Sequence, residues 1–217
     1  MPIRRSAASA IWEVVVETEK KDTIPLWLAV AITVCVALPF GIWVSQIDPK
    51  LNNIPIWASF IVWAEYFALG AKPEALKTII PAYILGVVAA TIIMTAYAVM
   101  GSTLKDKMIT PTDLSLFVTC FIGFCIFIYA MKWFPVTQTG SLPYFNGISM
   151  MLAVYFTGSH PTALFTTETN LFPLIAGVWA ILAGLLGAFL GWFNVTILFP
   201  REVPKTRVAS GSQPLKA

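Results

Sequence analysis

The stretch AEYFALGAKPEALKT, from Ala64 to Thr78, has a near copy later in the chain, AVYFTGSHPTALFT, from Ala153 to Thr166. Aligned with one gap at Leu69, the two copies share Ala, Tyr-Phe, Gly, Pro, Ala-Leu and Thr in the same order. Ala and Leu are common in any apolar sequence, but Tyr-Phe, Gly, Pro and Thr in one order are not. The match predicts an internal duplication.

The composition of this chain indicates whether it folds in water or in a lipid bilayer. Of its 217 residues, 58% are hydrophobic and 12% are charged, and the mean hydropathy is +0.78. A soluble domain carries about a quarter charged residues. Crossing a bilayer core of roughly 30 Å takes about 20 apolar helical residues, whereas a β-barrel shows short alternating strands. The long apolar runs therefore predict an all-α membrane protein with six transmembrane helices: Ile24–Gln46, Ile54–Leu69, Ile79–Met100, Leu114–Met131, Pro143–Thr157 and Leu171–Phe199.

The duplication predicts the domain organisation. The first copy closes the second helix and the second copy closes the fifth, so each half holds three crossings and the halves face opposite ways, as two inverted repeats. We expect the first repeat over residues 24–112, the second over 113–199, and a disordered cytoplasmic tail over 200–217. Residues 1–23 form an N-terminal cytoplasmic segment, either an amphipathic helix on the membrane surface or a frayed tail.

Lysine and arginine are distributed unevenly around these helices. If the N-terminus is cytoplasmic, the inside segments hold Arg4, Arg5, Lys20, Lys21, Lys72, Lys77, Lys132, Arg201, Lys205, Arg207 and Lys216, and the outside loops hold Lys50, Lys105 and Lys107. This positive-inside bias predicts that both termini are cytoplasmic. It accounts for the net charge without a nucleic-acid partner, because no basic cluster lies on a soluble domain.

Each copy contains helix breakers. Gly70 and Gly158 can end a helix in the left-handed conformation, and Pro73 and Pro161 fit the first turn of a new helix. The second and fifth helices are also short, at about 24 Å each. The predicted unit is a short helix, a turn and a re-entrant or tilted half-helix, which leads to Pro81 in one half and Pro173 in the other. Such broken segments in matching positions predict a translocation site at the repeat interface; ordinary loops at the membrane surface are the alternative.

Glu65 is the only carboxylate within a predicted transmembrane helix. An ionisable group at that depth costs several kcal/mol and indicates function. We interpret it as a proton-binding or cation-attracting group; alternatively it reaches water or Lys72 at the cytoplasmic end. The alignment pairs it with Val154, so the site is not symmetric.

Other polar and aromatic residues complete the candidate pathway. Asn146 and Asn194 can form hydrogen bonds between helices. His160, the only histidine, is either a pH-sensitive gate or a solvated loop residue. The aromatic rings near the two copies either anchor the helices at the membrane surface or face inward and line a narrow slot. The predicted pathway residues are Trp63, Glu65, Tyr66, Phe67, Gly70, Pro73, Thr78, Asn146, Tyr155, Phe156, Gly158, His160, Pro161 and Thr166.

A series of glycines marks the sixth predicted helix. Gly184, Gly187 and Gly191, with Gly177 before them, are spaced to let a neighbouring helix approach closely, within the bundle or between protomers. No phosphate-binding loop, zinc-spaced His/Cys set or catalytic triad is present in the sequence. We therefore expect no enzyme activity, no metal and no cofactor.

Two stretches carry a resemblance to a known family: WASFIVWAEYFALG, residues 57–70, and YFNGISMMLAVYFTGSHP, residues 144–161. They resemble small bacterial inner-membrane proteins catalogued as domain of unknown function 1097. Trp63, Tyr66, Phe67 and Gly70 match its motif, and the resemblance covers most of residues 24–199. It implies six helices in the inner membrane. The architecture is also similar to small-solute channels of the urea and formate/nitrite type, which use inverted repeats with broken helices.

These observations lead to one functional expectation and one alternative. We expect a channel or facilitated transporter for a small polar solute (urea, a short amide, ammonia or a small carboxylate), in the lipid bilayer as a homo-oligomer. The alternative is a non-transporting subunit or scaffold of a larger membrane complex.

Overall fold

The computed structural model describes residues 18–47, 54–104, 113–161, 171–198 and 201–204. Within these ranges the chain is a helical bundle with one small antiparallel sheet. The α-helices are α1 Leu26–Ile47, α2 Ser59–Ala68, α3 Leu76–Leu104, α4 Asp113–Ala130, α5 Pro135–Thr139, α6 Ser141–Phe156 and α7 Phe172–Thr196. The strands are β1 Thr18–Lys21 and β2 Arg201–Pro204. Single turns of 3-10 helix lie at Ile56–Ala58, Pro73–Ala75 and Met131–Trp133.

Four helical segments are long and apolar enough to cross a membrane: Leu26–Val44, Pro73–Met100, Asp113–Trp133 and Phe172–Thr196. The chain is therefore a multi-pass membrane protein, as its composition predicts. The second and fifth predicted helices are shorter, because Ile56–Ala68 is an apolar helix of fewer than 18 residues and α6 has 16. Their expected shortness is confirmed.

Helices α3 and α7 form the centre of the bundle. About half of the membrane-length window of each is buried, 50% in α3 and 56% in α7, against 17% in α1 and 11% in α4. Helix α3 packs mainly against α6, α7 and α4, and α7 packs mainly against α2, α3 and α6, with α1 at its edge. Helix α3 thus packs against the short helix α6 and the peripheral helix α4, and α7 packs against the short helix α2 and the peripheral helix α1.

Glycines of α7 fix the crossing of the inner helices. Gly177 faces Thr91 and Gly184 faces the Tyr83 ring, so α3 and α7 run antiparallel. A Cβ added at either position would overlap these side chains. Close approach at this glycine series is confirmed, and it occurs within the bundle.

Helix α7 runs parallel to α2. Gly187 lies against the Ser59 carbonyl and Gly191 against the Tyr66 ring. On the other side of the molecule α3 makes the same kind of contact with α6, where Gly147 lies against the Tyr83 carbonyl. Each central helix therefore has a short helix lying parallel to it at backbone-contact distance.

Contacts of the peripheral helices α1 and α4 show in which direction each of them runs through the bundle. Asn194 of α7 donates to the Ala29 carbonyl of α1 at 3.1 Å, and Thr23 just before α1 donates to the Leu198 carbonyl after α7. Gly123 of α4 lies against Ile93 of α3. Helices α1, α3 and α6 run one way through the bundle, and α2, α4 and α7 run the other way.

The two strands join the ends of the described chain. Strand β1 pairs with β2 antiparallel, with Lys21 opposite Arg201 and Thr18 opposite Pro204. The sequence analysis expected no strand here and placed residues 201–204 in a disordered tail, so this part of that expectation is wrong. The rest of the tail, and an N-terminal amphipathic helix, lie outside the described residues. We call the face of the bundle that carries β1 and β2 the terminal face.

Helix α3 is continuous through Pro81, which corrects the expected half-helix in the first repeat. A proline inside a helix removes one hydrogen bond, here to the carbonyl of Lys77 in the first turn. Lys77 is exposed, so its carbonyl can bond to water instead. Pro73 starts the preceding 3-10 turn as expected, and Pro173 lies in the first turn of α7. The segment that would hold the second half-helix lies outside the described residues.

Candidate functional site

The two copies of the repeated phrase end their helices with the same backbone motif. Ala71 N–H donates to the Tyr66 carbonyl at 2.9 Å and Gly70 N–H to the Phe67 carbonyl at 3.1 Å. In the second copy Ser159 N–H donates to the Val154 carbonyl at 3.0 Å and Gly158 N–H to the Tyr155 carbonyl at 3.1 Å. Both glycines have positive φ, +94° for Gly70 and +64° for Gly158. Each copy is a Schellman cap, which needs a left-handed residue. The expected left-handed glycines are confirmed.

The caps correct the alignment of the copies by one residue. The carbonyl that accepts the long bond of the cap belongs to Tyr66 in the first copy and to Val154 in the second. Tyr66 therefore corresponds to Val154, not to Tyr155, and Glu65 corresponds to Ala153. The helix is regular up to each glycine, so a gap at Leu69 has no place in the structure. The site remains asymmetric.

Glu65 is buried at the contact between α2 and α6. Its side chain is 3% exposed, and Oε1 accepts a hydrogen bond from Asn146 Nδ2. Oε2 is also buried and has no hydrogen-bond partner. The alternative that Glu65 reaches water or Lys72 is wrong, because Asn146 is its partner and Lys72 is exposed. The unpartnered oxygen of such a carboxyl group can still accept a hydrogen bond or a proton.

Two further polar groups of α2 are buried without partners. Trp63 Nε1 and the Tyr66 hydroxyl have none, and the side chains are 3% and 0% exposed. The backbone N of Trp63 lies near Gly187 of α7, and the Tyr66 ring lies near Gly191. Helix α2 thus carries a carboxyl group that bonds to α6 and two buried donors that have no hydrogen-bond partner.

Tyr83 is a site residue that the sequence analysis missed. It is 2% exposed, and its hydroxyl donates to the Ala180 carbonyl of α7 at 3.1 Å. A phenol in the otherwise apolar stretch after Pro81 was the available signal, because a buried tyrosine hydroxyl usually finds a partner.

His160 lies on the opposite face of the bundle from Glu65. The expectation of a solvated loop residue is wrong, because the side chain is 4% exposed and Nδ1 is buried without a partner. Its ring lies 5.8 Å from that of Phe172. Burial lowers the pKa of the imidazole. The position corresponds to Lys72, which is exposed on the terminal face.

The remaining predicted pathway residues do not form one cluster. Phe67, Thr78 and Tyr155 are half-buried, Pro161 is buried, and Gly70, Pro73 and Gly158 are exposed. The side chains of Phe156, Phe145 and Trp57 are 58%, 43% and 41% exposed. An inward aromatic slot that includes these three rings is therefore wrong, and Thr166 lies outside the described residues.

Asn194 connects α7 to α1, away from Glu65. Its Nδ2 donates to Thr33 Oγ1 at 2.5 Å as well as to Ala29. The interhelical role expected of both asparagines is confirmed.

The cavities that described residues line include four that Glu65, Tyr66 and Tyr155 do not line. The largest, about 580 Å³, is an apolar groove between α1, α7 and Ile56. The others measure about 460, 100 and 90 Å³. Within the described residues there is no group of three or more His, Cys, Asp or Glu that could hold a metal ion.

The family described as "protein of unknown function (DUF1097)" matches residues 23–198. The chain belongs to this family. The match begins just before α1 and ends just after α7, so it covers both copies of the phrase and the Glu65–Asn146 contact. No curated protein and no solved structure matches the chain. The resemblance noted from residues 57–70 and 144–161 is therefore confirmed at the level of the family, which carries no assigned activity.

Proposed function

We propose that this protein moves a small polar solute across the membrane, through a path at the contact of its two halves. The solute is urea, a short amide, ammonia or a small carboxylate. The observation that carries the proposal is Glu65, whose buried Oε2 has no partner although it lies beside Asn146 of the other half. Buried polar groups in membrane proteins are costly, and they are typical of substrate and ion pathways.

The proposal includes six crossings arranged as two inverted repeats, α1–α3 and α4–α7. The helix directions support it, because α1, α2 and α3 run opposite to α4, α6 and α7 respectively. The packing also supports it: α3 on α6 matches α7 on α2, and α3 on α4 matches α7 on α1. The two Schellman caps then lie on opposite faces. Short helices with matching breaks at a repeat interface are typical of transporters.

The exposure of the site favours a gated path. Tyr66 and Val154, at equivalent positions of the two halves, are both 0% exposed, and Glu65 is 3% exposed. A solute reaches Glu65 only after α2 and α6 separate. This favours a facilitator that opens alternately to the two faces over a permanently open pore.

We propose that the terminal face is cytoplasmic, in a bacterial inner membrane. Lys21, Lys72, Lys77 and Lys132 lie on this face, and all four are exposed. Lys132 Nζ lies 3.5 Å from the centre of the Tyr129 ring, as expected where a helix leaves the bilayer. Single cysteines at Lys72 and Ser159, in a protein without native cysteines, test both orientation and inversion. Only the Ser159 position should react with an impermeant maleimide in intact cells; equal labelling would refute the inverted arrangement.

Solute flux is tested with purified protein in liposomes. Swelling in gradients of urea and acetamide should be faster than in protein-free liposomes, and Glu65→Leu should reduce it to that background. Glu74→Gln is the matched control, because Glu74 is exposed in the 3-10 turn after α2 and should behave as wild type. Wild-type swelling at the background rate for urea, acetamide, ammonium and acetate would refute the proposal.

A second candidate is a non-transporting subunit of a larger complex. The observation that favours it is the exposed aromatic row of α4, where Phe117 and Phe121 stack at 64% and 62% exposure. The same row can face lipid or a second copy of the chain in a homo-oligomer. Co-purification of another membrane protein at fixed stoichiometry would support the subunit role. Neither proposal includes an enzyme activity or a cofactor.

A further inference from the structure

Within the part of the chain that the structure describes, no lysine, arginine or histidine forms a hydrogen bond or an ion pair with Glu65. Helix α7 carries no ionisable side chain, and the ionisable groups of α6 are Tyr144 and Tyr155. From α3, Tyr83 is the buried ionisable group near Glu65, and Lys77 is exposed. The hydrogen-bond partner that α6 supplies, Asn146, is neutral. The carboxyl group thus meets neutral groups on every helix that packs against α2.

The hydrogen bonding of Glu65 fits the neutral acid. One oxygen accepts from Asn146, and the other, Oε2, is buried without a donor. An ionised carboxylate would leave an acceptor and a negative charge uncompensated away from water, which is unfavourable. A proton on Oε2 removes the charge without a change in the contact with Asn146.

We infer that Glu65 binds a proton in this closed conformation and releases it when the contact between α2 and α6 opens, so that one proton accompanies the solute. In the binding step hydronium transfers a proton to Oε2, and a carboxylic acid and water result; release is the reverse. The coupling rests on the proposed function, whereas the proton site itself does not.

The structure also limits the location of such a site. The cap-based match places Ala153 where Glu65 lies in the first copy, so the second copy has no carboxyl group at the equivalent position. Glu65 precedes the Gly70 cap by five residues, or about 7.5 Å of helix. The proton therefore exchanges most directly with the terminal face.

Infrared difference spectroscopy of the reconstituted protein tests the proton site. We expect a protonated-carboxyl C=O stretching band at neutral pH that is lost in Glu65→Gln and retained in Glu74→Gln. Asn146→Leu should shift the band, because the carbonyl loses its hydrogen bond. If wild type has no such band at neutral pH, or if Glu65→Gln keeps it, the site is refuted.

A luminal pH dye tests the coupling. An inward acetamide or urea gradient should acidify liposomes that contain wild type, and proton entry should fall to the protein-free rate in Glu65→Gln but not in Glu74→Gln. Swelling without a change of luminal pH would overturn the coupling and leave transport in place. Absence of swelling would refute the proposed function, and the infrared band would then decide the proton site alone.

Discussion

Replacing Gly187 by alanine tests the contact that holds α2 against α7. A Cβ at this position would lie well inside 3.0 Å of the Ser59 carbonyl oxygen, a distance that real Cβ atoms essentially never show. The obstacle is backbone, so rotation of a side chain cannot relieve it, and the helices must separate by about 1 Å at a typical overpacking cost of about 1–3 kcal/mol. At about 2–4 °C per kcal/mol for a chain of this size, Tm should fall by several degrees.

Thermal unfolding of the detergent-solubilised protein, followed by tryptophan fluorescence, measures this effect. Gly123→Ala is the matched control, because its Cβ would meet the side chain of Ile93 and not a backbone atom. We expect a clearly smaller loss there. A Gly187→Ala protein that melts with wild type would show that α2 and α7 do not touch through their backbones.

Three further predictions follow from the caps and the buried polar groups. Gly70→Ala and Gly158→Ala should each lose about 1 kcal/mol, because both glycines have positive φ with open space around them; unequal losses in thermal unfolding would contradict equivalent caps. Asn194→Leu should loosen α1, since its bonds to Ala29 and Thr33 are lost; faster proteolysis of α1 measures this, and an unchanged rate would contradict it. His160 has a lowered pKa, so the folded protein binds this proton less readily than the unfolded chain, and stability should fall as pH drops through the usual histidine value of 6.5. His160→Asn should flatten the dependence of Tm on pH between 7 and about 5, and a wild-type Tm that is constant over this range would contradict the assignment.

Local sequence signals predicted a large part of this structure. A left-handed cap and a close helix crossing both favour glycine. Gly70 and Gly158 therefore predicted the two caps, and Gly187 predicted a close approach between helices. A carboxylate in an apolar segment likewise identified Glu65. These features depend on the chemistry of one residue and its immediate neighbours.

Features that depend on distant parts of the chain were missed. The strand pairs TEKK with REVP, two charged segments with weak strand propensity that only the folded bundle brings together. The sequence predicts a half-helix that leads to Pro81, whereas α3 continues through it, because a proline near the start of a helix removes only one hydrogen bond. The burial of His160 and the contact of Tyr83 with α7 depend on tertiary packing, which a single sequence does not display.

The pairing of β1 with β2 brings the first and last described segments of the chain side by side. Because the first and last described strands are neighbours, they could be linked covalently and new ends opened in the 105–112 connection between the halves. Such a circular permutant would begin with α4 and end with α3, so that α4–α7 would be synthesised before α1–α3. The order in which the halves are synthesised would then be independent of the bundle that they build.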